Sequence, residues 1–200
     1  TLSIERARLM TEAYKKWQGK VSIPVLRALS FQHLLANKHV EILDGELIVG
    51  ERGPKPQAAP TYPELCCHTV EDFDVIDQRD KIFFRVDEET KQAQGEEIIP
   101  YWQGKSIRDL IFDQMTPEWH ACYEAGIFTE FMEQRSPGHT VADGKIYQKG
   151  MLDFKAEILH ELDQLDFVHD LEAYDKQEEL KAMAMACDAL IAFAHRYAEE

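Results

Sequence analysis

One stretch of this 200-residue chain stands apart for the chemistry its side chains could do. In Phe131-Met132-Glu133-Gln134-Arg135-Ser136-Pro137-Gly138-His139-Thr140, the Pro137-Gly138 pair breaks a helical run. His139 is therefore expected on a turn and not on a packed stripe. An imidazole on a turn titrates near neutrality and can protonate a departing hydroxyl. Arg135 and Glu133 are close enough in sequence to tune it. Two readings of His139 stand on these residues alone: an acid for a leaving group, or a side chain that caps a helix or bonds a carbonyl. Phe131 reads either as a core aromatic or as a pocket wall.

Other reactive side chains carry weaker patterns. His160-Glu161-Leu162-Asp163-Gln164 lacks the second histidine that HExxH needs to place two imidazoles on one helical face. Cys66, Cys67 and His68 are consecutive, and adjacent residues rarely converge on one ion without a further ligand from elsewhere. A packed loop with buried thiols is expected there, and no metal site. Cys122 and Cys187 fall on apolar helical faces and read as inert core thiols. No glycine-rich phosphate loop and no nucleophile elbow is present.

Elements that would position these residues follow from caps and periodicity. Ser3 opens a helix whose apolar side runs Ile4, Ala7, Met10, Ala13, Tyr14 and Trp17, and Gly19 ends it. Pro24 takes the first position of the next. Val40-Glu41-Ile42-Leu43, Asp44-Gly45 and Leu47-Ile48-Val49 read as a β-hairpin, the one strand pair expected. Residues 50 to 63 hold four prolines and two glycines and read as an extended loop. Thr69 with Asp72, and Ser106 with Asp109, resemble capping boxes. Asp87 caps a helix predicted to stop near Pro100, and Thr116-Pro117 starts another. Helices from Met151 to Leu165 and from Asp175 onward follow. The last carries a stripe of Leu180, Met183, Ala184, Cys187, Leu190, Ile191 and Ala194. The fold class expected is mostly α with one β-hairpin, in a single domain over 1–200 without an internal boundary.

Composition bounds the function. Hydrophobic residues make up 44% and charged residues 30%, an ordinary globular balance. The charge of −15 repels phosphate backbones and no basic patch relieves it, so no nucleic-acid partner is expected. The longest apolar runs are about six residues, far short of the roughly 20 that span a bilayer. Four cysteines without disulfide-scaffold spacing point to a reducing cytoplasm. The chain opens at Thr1 with no signal sequence and closes in the helical pattern AFAHRYAEE with no stop. Two bare ends predict a piece of a longer polypeptide.

At the level of motifs, the sequence resembles the N-terminal quarter of a glycyl radical enzyme of the pyruvate formate-lyase-like superfamily, in its dehydratase branch. SIERARLMTEAYKKWQG (3 to 19), PVLRALSFQHLLANK (24 to 38), DGELIVGERG (44 to 53) and APTYPELCCHT (59 to 69) carry the resemblance. MTPEWHACYEAGIFTEFMEQRSPGHT (115 to 140) and LDFVHDLEAYDKQEELKAMAMACDALIAFAHRYAE (165 to 199) extend it over nearly the whole chain. The DGELIVG motif is broad in the superfamily, whereas TYPELCCHT together with FTEFMEQRSPGHT is narrower. The resemblance implies a ten-stranded α/β barrel for the full-length enzyme, with these helices outside it. It implies a radical on a C-terminal glycine, installed by a separate S-adenosylmethionine iron–sulfur activase, and no cofactor bound by this segment. It further implies a mid-chain thiyl cysteine and a base glutamate outside this segment, a cytoplasmic homodimer, and a small hydroxylated substrate.

Within FMEQRSPGHT the resemblance aligns His139 with a pocket histidine facing the departing hydroxyl, and Phe131 with an aromatic packed on a pyrrolidine ring. The substrate so implied is trans-4-hydroxy-L-proline, dehydrated to 1-pyrroline-5-carboxylate. Glycerol or 1,2-propanediol dehydration, another lyase reaction of the superfamily, and a non-catalytic N-terminal fragment are the alternatives. The 200 residues alone are expected to be inactive.

Overall fold

Short polar caps decide where the helices begin. The structure, a computed structural model, describes residues 1–128 and 143–200. These gather into two compact units, one of residues 1–7 and 58–128, the other of 8–57 and 143–200.

In the first unit, β1 (Leu2–Ser3) and β2 (Ala59–Pro60) pair in parallel with Leu2 opposite Ala59. Ser3 Oγ then accepts the Glu5 N–H (3.3 Å), which starts α1 (Glu5–Trp17). α3 (Val70–Gln78) opens with the expected box: Asp72 N–H donates to Thr69 Oγ1 (3.3 Å) and Thr69 N–H to Asp72 Oδ2 (2.8 Å). Asp87 caps α4 (Glu88–Ala93) by accepting the Thr90 N–H at 2.8 Å. That helix does not stop at Pro100. A π-turn over Gln94–Ile98 leads into α5 (Ile99–Trp102), with Pro100 in its first turn. The wider turn re-phases the backbone, so proline lands where no N–H donor is needed. Phe73, Ile98 and Trp102 form the buried centre of this unit.

The second unit takes up α1 from Arg8 and adds α2 (Ile23–Asn37), a long loop, α8 (Met151–Asp163) and α9 (Ala173–Glu199). α9 packs against both α2 and α8. Arg196 donates to the carbonyls of Leu35 (2.6 Å) and Lys38 (2.8 Å), supplying both charge and donors to the C-terminal end of α2. Lys155 of α8 holds both carboxylate oxygens of Asp188, at 2.7 and 2.9 Å. The predicted apolar stripe of α9 is only partly buried. Cys187 is inside, Met183 and Leu190 are exposed, and the small residues Ala182 and Ala189 are buried instead. A helix with neighbours on two sides favours small residues where backbones approach.

The predicted hairpin over residues 40–49 is absent, and β1–β2 is the strand pair among the described residues. The turn itself forms: Glu46 N–H donates to the Leu43 carbonyl (3.0 Å) with Gly45 at φ +79°. Asp44, however, keeps a negative φ. The paired-strand turn of type I′ needs positive φ at both central residues, and a turn positive only at the third residue splays its arms. Leu47 and Ile48 are left 98% and 89% exposed.

Candidate functional site

Phe131 and His139 both lie in residues 129–142, outside the described residues. What the structure does place is the stem from which that stretch departs, all of it in the first unit.

The stem begins at the N-terminus. Arg6 forms a two-pronged ion pair with Glu64, donating also to the Thr61 carbonyl (3.1 Å), and its guanidinium lies 3.9 Å from the centre of the Tyr62 ring. Both partners of the pair are largely buried, so the fork geometry compensates part of their desolvation. Thr61 Oγ1 in turn accepts from the buried Gln94 side chain at 3.1 Å. The carbonyls of Glu64 and Leu65 then accept the N–H groups of Ile107 and Arg108, each at 3.0 Å. Those are the first donors of α6 (Ile107–Phe112), which Ser106 and Asp109 cap reciprocally.

Next comes α7 (Pro117–Glu124), with Thr116 as cap and Pro117 in the first turn as expected. Its end is a Schellman motif: Gly126 N–H donates to the Tyr123 carbonyl and Ile127 N–H to the Cys122 carbonyl, each at 3.0 Å. Gly126 supplies the required positive φ of +71°. Trp119 and Tyr123 are therefore neighbours at i, i+4, and their rings stack within 5° of parallel at 5.4 Å. Phe112 meets both edge-on, at 5.0 and 5.2 Å. The Arg108 guanidinium sits 4.0 Å from the centre of Phe112 and donates to Tyr123 Oη at 3.1 Å. Phe128 tilts onto Trp119 at 5.2 Å. Sequence reading missed this cluster, although Arg108/Phe112 and Trp119/Tyr123 carry the i, i+4 spacing that could have found it.

The Cys66-Cys67-His68 run is placed as a packed loop. Cys66 lines a cavity of about 490 Å³ with Leu2, Tyr62, Ile76 and Phe84. His68 meets the Phe73 ring edge-on (5.6 Å) and lies 3.6 Å from the Asp72 carboxylate. Burial, followed by the charges of Asp109, Cys66 and Asp72, pushes the Cys67 thiol up to about 11. Cys187 is also raised, chiefly by burial, whereas Cys122 is half-buried rather than in a core. A thiol at that value carries about 100-fold less thiolate than an ordinary one, partly offset by its greater nucleophilicity. Iodoacetamide at pH 8 should thus label Cys67 about 10- to 100-fold more slowly than in the denatured chain, read by peptide mapping. Equal rates would show that the burial raising this thiol is not maintained.

Residues 1–200 match the pyruvate formate lyase-like family. The chain is 59% identical over 199 residues to trans-4-hydroxy-L-proline dehydratase of Clostridioides difficile, covering all of this chain and 25% of that protein. The crystal structure of hydroxyproline dehydratase from the same organism, with trans-4-hydroxy-L-proline bound, superposes with a TM-score of 0.93 at 60% identity. It covers 99% of this chain and 25% of that one. A Roseburia inulinivorans structure described for 1,2-propanediol dehydration gives a TM-score of 0.90 at 28% identity, with the same coverage. The chain spans about a quarter of the length of the relatives it matches. Among the described residues, no helix is long and apolar enough to cross a membrane.

Proposed function

This chain belongs to the pyruvate formate lyase-like family, and we propose from that premise that it is the N-terminal part of a radical dehydratase acting on trans-4-hydroxy-L-proline. The observation that carries the substrate is the gap between 59% identity to a hydroxyproline dehydratase and 28% to the propanediol structure. Fold likeness alone does not separate them, since both superpose closely.

The overall reaction is redox-neutral and releases one water. The radical chemistry, carried by residues of the longer polypeptide, removes a hydrogen atom beside the C–O bond, which makes the hydroxyl a better leaving group, and returns that atom to the product radical once water has left. The substrate gives up one proton to a base glutamate outside this segment. His139 donates the proton that lets that hydroxyl depart as water. Phe131 packs on the pyrrolidine ring, shapes the pocket for a cyclic substrate and excludes solvent. No cysteine of this segment is assigned to the radical relay. A separate S-adenosylmethionine iron–sulfur activase, a homodimeric assembly and a cytoplasmic location are parts of the proposal that the family resemblance supports.

The test is anaerobic activation of the full-length protein by its activase, then turnover of trans-4-hydroxy-L-proline beside glycerol and propane-1,2-diol. Hydroxyproline should be favoured in kcat/KM by at least about 100-fold, because polar and apolar groups built for a ring are left unfilled by open chains. Turnover of the diols alone would move the assignment to an open-chain diol dehydratase. Residues 1–200 by themselves should turn over none of the three.

A further inference from the structure

The apolar cavity beside α3 carries two reactive side chains that the dehydration chemistry leaves unused. Leu2, Leu65, Ile76 and Phe84 wall its volume of about 490 Å³, and Cys66 and His68 line it together. Cys67, between them, is outside that lining, as the alternation of an extended run requires. The two adjacent thiols therefore have different surroundings. Cys67 Sγ donates to the His68 carbonyl at 3.7 Å, while the half-buried Cys66 borders the cavity.

His68 is oriented from two sides. Its Nδ1 lies 3.6 Å from Asp72 Oδ2, and its ring meets Phe73 edge-on. Asp72 is itself anchored, since its Oδ2 accepts the Thr69 N–H at 2.8 Å. A carboxylate beside Nδ1 favours the proton on that nitrogen and leaves Nε2 to accept one. Thiol, imidazole and carboxylate thus follow the order of nucleophile, base and orienting group. Among the described residues that line the cavity none bears a permanent charge, so an uncharged ligand is favoured there.

We infer that Cys66 is a covalent binding site for small uncharged α,β-unsaturated carbonyl compounds, whose apolar tails occupy the cavity. The Cys66 sulfur bonds to the β-carbon as the C=C π bond breaks. His68 takes the thiol proton, and a proton is delivered to the α-carbon, so the addition balances without an oxidant or a further reactant. The site stands independently of the dehydration reading and of His139.

The experiment uses the full-length protein without activation, treated anaerobically with oct-1-en-3-one or its short analogue but-3-en-2-one. Tandem mass spectrometry separates adducts on Cys66 from those on Cys67. At Cys66 the ratio of the long-chain to the short-chain rate should exceed that in the denatured chain by about tenfold, because the longer tail leaves water. Saturated octan-3-one, which fits the cavity but cannot react, should slow labelling of Cys66 and not of Cys122. His68→Gln should slow Cys66 by at least about tenfold while keeping the long-chain preference. Phe84→Glu, a charge at a position already 37% exposed, should abolish that preference. Equal ratios in folded and denatured protein, or no protection by octan-3-one in the unsubstituted protein, would overturn the inference. An unchanged rate in His68→Gln would overturn it too. So would an unlabelled Cys66, the outcome if another part of the full-length protein fills the cavity.

Discussion

His139→Ala in the activated full-length enzyme is expected to lower kcat on trans-4-hydroxy-L-proline by about 10²- to 10⁴-fold, the contribution of a positioned general acid. The loss falls on kcat because the proton is needed only as the C–O bond breaks, so the interaction is made in the transition state and not in the bound ground state. Radical content after activation should match the unsubstituted enzyme, since the role proposed for His139 lies in the departure of water and not in generating the radical. His139→Gln offers a hydrogen-bond donor without a transferable proton and should fall between the two. A rate within about threefold of the original for His139→Ala would remove the general-acid role. It would return His139 to the alternative the sequence leaves open, a side chain bonded to backbone.

The second large effect concerns selectivity. Burying an aromatic ring against a substrate is worth roughly 1.5–3 kcal/mol, or about 10- to 150-fold in kcat/KM. Phe131→Ala should therefore reduce kcat/KM for trans-4-hydroxy-L-proline by a factor in that range. Any residual rate on propane-1,2-diol should change little, because a three-carbon diol has no ring to rest on Phe131. The ratio of the two specificities is the quantity to measure. Equal losses on both substrates would mean that Phe131 supports the pocket generally and does not read the ring.

Local signals were legible in the sequence and long-range ones were not. Thr69 with Asp72, Ser106 with Asp109, Asp87, and Thr116 with Pro117 each form the cap expected of them, because a cap is decided within four residues. The Asp44-Gly45 turn was also legible, but pairing of its arms depends on the sign of φ at Asp44, which the dipeptide does not determine. The π-turn that carries the helix across Pro100 likewise has no sequence mark. Leu2 pairs with Ala59, and Arg6 with Glu64, across separations of more than fifty residues. No periodicity records such a choice. For the site, the motif nominates Phe131 and His139, which lie outside the described residues, whereas the Trp119 and Arg108 cluster needed three-dimensional contacts to be seen.

Leu47 and Ile48 have a consequence for biosynthesis. In the longer polypeptide proposed here, about 600 residues would follow this segment, taking relatives four times its length as the guide. At roughly 5–20 residues per second the ribosome needs about 30–120 s to make them. For that interval Leu47-Ile48-Val49 is an apolar strand-former without a strand partner among the described residues. Such a segment invites pairing between nascent chains. Its neighbours counter this: Glu41, Asp44, Glu46 and Glu51 place like charges on both sides, so two copies repel before their backbones can align. The acidity around the turn thus acts as a gatekeeper during translation.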